Sequence, residues 1–146
     1  MTDVTGEANG LILALDAAGY RVTEPRRAVA AMIGARSGHF SAAELVEEAR
    51  RRHPGLGRAT VFRAIELFAS LGVVERVDLP DGEHAYVACE PAHHHHAICT
   101  RCGRSLDVDD SALAGVLEEI GRRSGFRVTH HRLELFGLCP ACRAAG

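Results

Sequence analysis

The chain has 146 residues, of which 47% are hydrophobic and 25% charged, and its formal net charge is -2. This length excludes a large multi-domain enzyme, and the composition excludes a disordered chain. No run approaches the ~20 apolar residues that span a bilayer, and the start does not resemble a signal peptide, so we expect a cytoplasmic protein. Two counts are unusual, nine His and five Cys. In a reducing cytosol, five cysteines favour metal or redox chemistry over a disulfide framework.

The first half of the chain predicts four helices. Thr23 can cap the second helix and Pro25 can occupy its first turn, while Ser41 and Glu44 form a capping box at the start of the third. The fourth helix follows from an apolar stripe at helical spacing that ends at Gly72. The predicted spans are 9–19, 23–36, 41–52 and 58–71.

Two short strands are predicted next, around the turn Pro80-Asp81-Gly82. Helices followed by a hairpin are typical of the winged-helix fold. In that fold residues 58–71 would be the helix that enters the major groove of DNA. We therefore predict a winged helix-turn-helix DNA-binding domain over residues 1–88.

A hinge at about 88–92 precedes a second predicted domain over residues 93–146, which makes the whole chain α+β. The expected order is a strand through 93–98, a strand near 104–108, a helix from Asp110 or Ser111 to about 124, and a strand over 126–136. This small α/β domain has too few residues to bury a large core unaided. We therefore expect a metal site or a dimer contact to stabilise it.

The low net charge conceals a basic segment. Residues 18–63 contain nine Arg and four Glu, a local balance of +5, and all 17 basic residues of the chain are Arg. Guanidinium groups suit phosphate through two parallel hydrogen bonds, although Arg at a helix end is also favourable with the helix dipole. Arg58, Thr60 and Arg63 lie off the apolar stripe of their predicted helix, where they can reach DNA.

Two Cys-x-x-Cys pairs predict a structural zinc site. Cys99 with Cys102 and Cys139 with Cys142 can supply four thiolates to one tetrahedral ion, which leaves no position for water. Such a site would join the end of the chain to the start of the same domain and contribute folding energy. A redox dithiol is the competing interpretation.

The internal run His93-His94-His95-His96 suggests two further metal sites. Along a strand His93 and His95 face one side and His94 and His96 the other. Further ligands would come from a set of nearby candidates: Glu75, Cys89, His39, His84 and one of His130 and His131. A sulfur ligand at Cys89 would favour Zn²⁺, although a free cysteine is often simply buried. A solvated His stretch with incidental metal affinity is the alternative.

Five stretches of the chain together resemble the ferric-uptake-regulator (Fur) family of metal-dependent repressors. They are RVTEPRRAV, HFSAAELV, GRATVFRAIELFASLGVV, HHHHAICTRCG and LELFGLCPAC. The resemblance implies an N-terminal winged helix, a C-terminal dimerisation domain, regulatory metal at the hinge and palindromic operator DNA as the target. It also implies a structural zinc ion at Cys99, Cys102, Cys139 and Cys142.

Within the family, the chain looks most like the zinc-uptake-regulator branch. That resemblance assigns the regulatory zinc to Glu75, Cys89, His94 and His96. Iron-sensing relatives use instead a Glu at the position of Val87, and iron and peroxide sensors recruit a His that matches His39.

The resemblance also implies a second site and several DNA contacts. The second site matches His93, His95 and His131, but its helix carboxylate is replaced by Ala114, so water or Glu118 would have to substitute. Arg21 matches a basic residue that enters the minor groove. Phe62 replaces a Tyr of the recognition helix and keeps a ring that can contact a thymine methyl group.

The sequence thus predicts a homodimeric, zinc-responsive transcriptional repressor, with metal as corepressor and no enzymatic activity. Iron-, manganese- or peroxide-responsive regulation by the same family is the first alternative. A zinc enzyme or zinc-storage protein is a distant one, because the chain lacks H-E-x-x-H and G-x-S-x-G motifs.

Overall fold

A computed structural model describes residues 4–36, 38–88 and 95–146, without the side chains of residues 4–7. The chain divides into two compact units, Met1–Pro91 (unit 1) and Ala92–Gly146 (unit 2). Helices and strands occur in both, which confirms the predicted α+β class. No helix in the described ranges is long and apolar enough to cross a membrane.

Unit 1 consists of four helices followed by a hairpin. In chain order they are α1 (Val4–Ala17), α2 (Glu24–Gly34), α3 (Ala42–Arg52), α4 (Arg58–Ser70), β1 (Val74–Asp78) and β2 (His84–Ala88). The strands are antiparallel, and Gly82 in their turn has a φ of 88°, a conformation that favours glycine. This arrangement confirms the predicted winged helix.

Local capping places the helices of unit 1 where the sequence predicts them. The side chain of Thr23 accepts a hydrogen bond from the Arg26 amide at the start of α2. Ser41 and Glu44 form the complete capping box of α3, each accepting a hydrogen bond from the backbone amide of the other. Two free donors at the start of α3 are thereby satisfied.

The predicted start of the first helix is wrong. Sequence periodicity predicts residues 9–19, whereas α1 begins at Val4 and ends at Ala17. Tertiary packing accounts for the extension, because α1 approaches α2 so closely at Ala8 that a Cβ on Gly34 would lie 2.7 Å from the Ala8 nitrogen. Packing can therefore compensate for the poor helix propensity of the segment that contains Gly6 and Gly10.

The core of unit 1 is a continuous apolar cluster built from all four helices and the start of the hairpin. Leu15, Ile33, Phe40 and Phe68 are among its fully buried side chains. Phe40 also pairs with Tyr86 of β2 through two backbone hydrogen bonds of 2.9 and 2.7 Å. The segment before α3 is thus joined directly to the hairpin.

Unit 2 has a three-stranded sheet and two helices. Its elements are β3 (His95–Cys99), β4 (Ser105–Val108), a 3₁₀ turn (Asp110–Ala112), α5 (Ala114–Ser124), β5 (Glu134–Gly137) and α6 (Pro140–Ala144). Strand β3 is central, antiparallel to β4 and parallel to β5.

Two expectations for unit 2 are corrected. The strand predicted over 126–136 is wrong for residues 126–133, since only Glu134–Gly137 is a strand. In the parallel register Glu134 of β5 lies opposite His96, so residues 126–132 would lie opposite chain that precedes the start of β3 at His95. The short helix α6 was not predicted; it begins directly after Cys139, with Pro140 in its first turn.

Few side chains of unit 2 are buried. Among its described residues only His95, His96, Ile98 and Cys99 are buried. By contrast, seven large apolar side chains of this unit are exposed: Leu106, Val116, Ile120, Phe126, Val128, Leu135 and Leu138. Apolar burial within unit 2 is therefore too small to stabilise it, as its length led us to expect.

The contact between α1 and α2 gives a first prediction. We expect Gly34→Ala to destabilise the protein by about 1–3 kcal/mol, because its methyl group would overlap the Ala8 backbone. The matched control is Gly10→Ala, in open space on α1, which should stabilise by about 0.5–1 kcal/mol. Urea unfolding measures both, and equal effects of the two substitutions would contradict the close approach.

Candidate metal centres and nucleic-acid interface

The four cysteines of the two Cys-x-x-Cys pairs converge in unit 2. Their sulfur atoms all lie within 4.8 Å of one another, and the sulfurs of Cys102 and Cys139 are 3.7 Å apart. Cys99 ends β3 and Cys102 lies in the following turn, where the Gly103 amide donates to the Cys99 carbonyl. Cys139 caps α6 by accepting from the Cys142 amide at 3.5 Å. Two elements distant in sequence thus supply one thiol cluster.

The charge balance of this cluster suits a cation. Hydrogen bonds from the backbone of Cys139, and then of Cys102, lower the pKa of the Cys99 thiol to about 5. The pKa of Cys142 is raised to about 12, first by its hydrogen bond with Cys139 and then by burial. Four thiolates this close therefore need a bound cation to coexist. A tetrahedral Zn²⁺ ion fits the donor set, and its chemistry there would be structural.

A second cluster in unit 2 includes His95 at the start of β3, whereas the thiol cluster includes Cys99 at the end of that strand. Nε2 of His95 is 2.9 Å from Oδ1 of Asp110 and 3.1 Å from Nε2 of His131, and His131 lies 2.8 Å from the same Asp110 oxygen. Buried His95 and half-buried His131 and Asp110 form a group able to hold a metal ion. His93, the remaining residue predicted for this second site, lies outside the described residues.

Asp110 is the residue that sequence reasoning missed. The carboxylate was sought on the helix at Ala114, with Glu118 as a substitute, but the structure places Asp110 beside the histidines instead. Asp110 opens the 3₁₀ turn that precedes α5, where Asp109 caps the turn by accepting from the Ser111 amide. The Asp-Asp-Ser sequence directly after a strand is a helix-start signal that could have indicated a carboxylate at this end of the sheet.

The predicted regulatory ligands are only partly described. His96 is buried, and its Nε2 lies 3.6 Å from Oδ1 of Asp107 on the neighbouring strand β4. Glu75 is half-buried in β1, opposite Val87 of β2. Cys89 and His94 lie outside the described residues. This ligand set therefore remains a prediction.

Three other histidines occupy different environments. Nδ1 of His39 is buried, and within the described ranges nothing hydrogen-bonds to it. His53 caps the end of α3, and His84 lies in β2, where its Nδ1 is 2.8 Å from Oδ1 of Asp78. The hydrogen bond from His84 lowers the pKa of Asp78. His84 thus contributes to the wing hairpin.

The arginines of unit 1 fall into two groups. On α2 and α3, Arg27, Arg50 and Arg52 each lie within 4 Å of a glutamate on the same helix, and Arg36 forms a 2.7 Å ion pair with Glu48. In the described part of the chain, no carboxylate pairs with Arg21, Arg26, Arg51, Arg58 or Arg63. The last two lie exposed on α4, together with half-buried Thr60 and Phe62. This face of α4 is positive and without internal compensation.

A winged helix followed by a unit with two clusters of metal-ligating side chains defines a metal-responsive transcriptional regulator. A model of the ferric uptake regulator family matches residues 17–136. The chain therefore belongs to the ferric uptake regulator family, whose members are transcriptional regulators.

Individual relatives agree with this membership. The zinc uptake regulation protein of Mycobacterium tuberculosis is 35% identical over 130 residues, 89% of this chain and 100% of that protein. The ferric uptake regulation protein of Bacillus subtilis is 33% identical over 132 residues, 88% of this chain and 89% of that protein. A solved structure of a zinc uptake regulator complexed with zinc and DNA has a TM-score of 0.78 at 25% identity, covering 99% of this chain and 98% of that one.

The thiol cluster gives a second prediction. We expect Cys102→Ser to lose the zinc ion that resists chelators and to abolish cooperative unfolding of unit 2, because the cluster joins elements separated by 36 residues. Metal analysis after chelator treatment and thermal circular dichroism measure the two effects. Cys89→Ser, the same chemical change outside the cluster, should keep the chelator-resistant zinc. Retention of that zinc by Cys102→Ser would contradict the assignment.

Proposed function

We propose that this protein is a zinc-responsive repressor that binds palindromic operator DNA as a homodimer in the cytoplasm, with metal as corepressor and no enzymatic activity. The observation that carries the proposal is the exposed face of α4. Neither of its two arginines has a carboxylate partner in the described ranges, whereas three of the five arginines on α2 and α3 do. Positive charge that nothing in the described chain neutralises suits DNA phosphate and base edges.

The exposed apolar side chains of unit 2 support the homodimer. Val116 and Ile120 of α5 and Phe126 and Val128 after it are more than two-fifths exposed. A groove of about 650 Å³ between α5 and residues 126–131 adds to this apolar surface. A unit with so few buried residues gains stability by covering this surface with a second copy.

The choice of zinc rests on ligand chemistry and on the zinc-regulating relative. We propose that Glu75, Cys89, His94 and His96 hold the regulatory ion. A thiolate with imidazoles suits borderline-soft Zn²⁺ better than the harder Fe²⁺ or Mn²⁺. Bound metal would act as corepressor by favouring the one spacing of the two recognition helices in the homodimer that matches a palindrome.

One observation favours a second candidate function, regulation by iron, manganese or peroxide. The buried Nδ1 of His39 has no hydrogen-bond partner in the described part of the chain. A buried imidazole nitrogen of this kind can act as a metal ligand. Metal titration separates the two functions. Tight preference for Fe²⁺, or oxidation of a ligand histidine by peroxide, would replace the zinc assignment.

We further propose that His95, Asp110 and His131 hold a second metal ion in unit 2. Asp110 supplies the carboxylate that Ala114 cannot. Its oxygen already lies within 3 Å of both imidazoles, so the three donors need little movement to share one ion.

Zinc-dependent DNA binding is the third prediction. Operator sequences are first selected from a random pool by the zinc-loaded protein, and binding is then measured against buffered free zinc. We expect about 5- to 150-fold tighter binding with regulatory zinc bound, which corresponds to a typical coupling energy. Cys89→Ser and His96→Gln should lose this response, whereas His53→Gln at the end of α3 should keep it. Equal affinity with and without zinc, with the thiol cluster still loaded, would refute the proposal.

The carboxylate of the second site gives the fourth prediction. In a Cys89→Ser background, which removes the proposed regulatory site, Asp110→Asn should weaken the remaining exchangeable zinc at least about tenfold. Competition with a zinc-binding dye measures this affinity. Glu118→Gln, the matched change at the substitute considered from sequence, should leave it unaltered. A larger loss of zinc affinity in Glu118→Gln than in Asp110→Asn would instead identify Glu118 as the carboxylate ligand.

A further inference from the structure

Arg58 and Phe62 form a pair on the exposed face of α4. Arg58 is the first residue of the helix and Phe62 follows one turn later. The central carbon of the guanidinium lies 5.2 Å from the centre of the Phe62 ring, within the range of a cation–π contact. Arg58 is exposed, Phe62 is half-buried, and in the described part of the chain no carboxylate approaches Arg58.

Helix stability does not account for an arginine at this position. Helices α2 and α3 each carry a glutamate in their first turn, where negative charge is favourable with the helix dipole. Helix α4 has no acidic residue in its first turn, and its N-cap, Gly57, makes no side-chain hydrogen bond. The charge of Arg58 therefore opposes the dipole, and the ring of Phe62 is its only visible compensation in the described structure.

The contact with the Phe62 ring restricts a side chain that is otherwise flexible. An arginine loses about 2 kcal/mol of rotamer freedom when it is ordered, and a ring that orders it beforehand reduces that loss on binding. Arg58 remains exposed in spite of this contact, so its N–H groups are free to meet a base. Two parallel donors in a plane match O6 and N7 of guanine in the major groove.

We infer that Arg58 reads a guanine in each operator half-site and that Phe62 is its positioning residue. The inference rests on the proposed function and deepens it, because it assigns a base and a division of roles within α4. It also changes the role that the sequence suggested for Phe62. The ring holds a guanidinium, and contact with a thymine methyl group is not needed to explain it.

A merely structural role makes a different prediction. The stem of Arg58 could serve only to shield the ring of Phe62 from water, as long basic side chains do on apolar surfaces. Loss of Arg58 would then weaken binding to all DNA sequences alike. A base-reading role instead changes the preference at one base pair.

The experiment measures affinity and base preference together. Zinc-loaded full-length protein is tested against the operator selected by the unmodified chain and against every single base-pair substitution in one half-site. The variants are Arg58→Gln, Arg58→Lys, Phe62→Leu, Phe62→Tyr and the double variant Arg58→Gln/Phe62→Leu. The control is Arg51→Gln on α3, which removes the same charge from another exposed position. Circular dichroism verifies that each variant is folded.

Arg58→Gln should lose about 5- to 150-fold in affinity and lose discrimination at one G·C pair. Arg58→Lys should restore part of the affinity and little of the discrimination, since a point charge lacks the paired donors. Phe62→Leu should reduce the preference for the same G·C pair, and Phe62→Tyr should retain that preference. The double variant should bind the operator no more weakly than Arg58→Gln alone. Arg51→Gln should leave the base preference unchanged.

Two results would overturn the inference while leaving the proposed function intact. In the first, Arg58→Gln weakens all sequences equally, which identifies a phosphate contact or a shielding role. In the second, the effects of Arg58→Gln and Phe62→Leu add in the double variant, which shows that the ring does not position the guanidinium. Failure of the unmodified protein to select any zinc-dependent sequence would instead refute the proposed function, and this inference with it.

Discussion

Unit 2 buries almost no apolar surface of its own, and this constraint organises the rest of the molecule. Its buried residues in the described structure are Ile98, Cys99 and two histidines, all on the central strand β3. Hydrophobic burial on this scale cannot offset the conformational entropy of ordering the unit. An ion held by the four thiols and a second copy that covers the exposed apolar side chains are the sources of stability that the described residues offer.

Unit 1 is stabilised in a different way. It has a continuous apolar cluster, which includes four buried residues of α4, and side-chain caps on α2 and α3. Internal ion pairs engage arginines of α2 and α3, and the exposed arginines of α4 have no such partners in the described ranges. A rigid scaffold with uncompensated charge on one helix is pre-organised for a polyanion. The two units therefore differ in their sources of stability.

Local sequence signals predict much of the fold and part of the candidate sites. Capping at Thr23 and Ser41 depends on residues three positions apart, so the sequence predicts the starts of α2 and α3 correctly. The early start of α1 depends on contact with Gly34, and the extent of β5 depends on its register with β3. Asp110 is the clearest case, because only the chain path from β4 into the 3₁₀ turn brings its carboxylate to two histidines. Features that depend on contacts between distant parts of the chain cannot be predicted from the spacing of residues alone.

The pairing of Phe40 with Tyr86 links the hairpin to the helix-turn-helix. Two backbone hydrogen bonds join β2 to the residue just before Ser41, whose side chain caps α3. β2 ends at Ala88, next to Cys89. Helix α3 in turn packs on α4, so the hairpin, the start of α3 and the recognition helix form one continuously bonded and packed body within unit 1. A substitution that breaks the pairing of Phe40 with Tyr86 would therefore disturb the start of α3 as well as the hairpin.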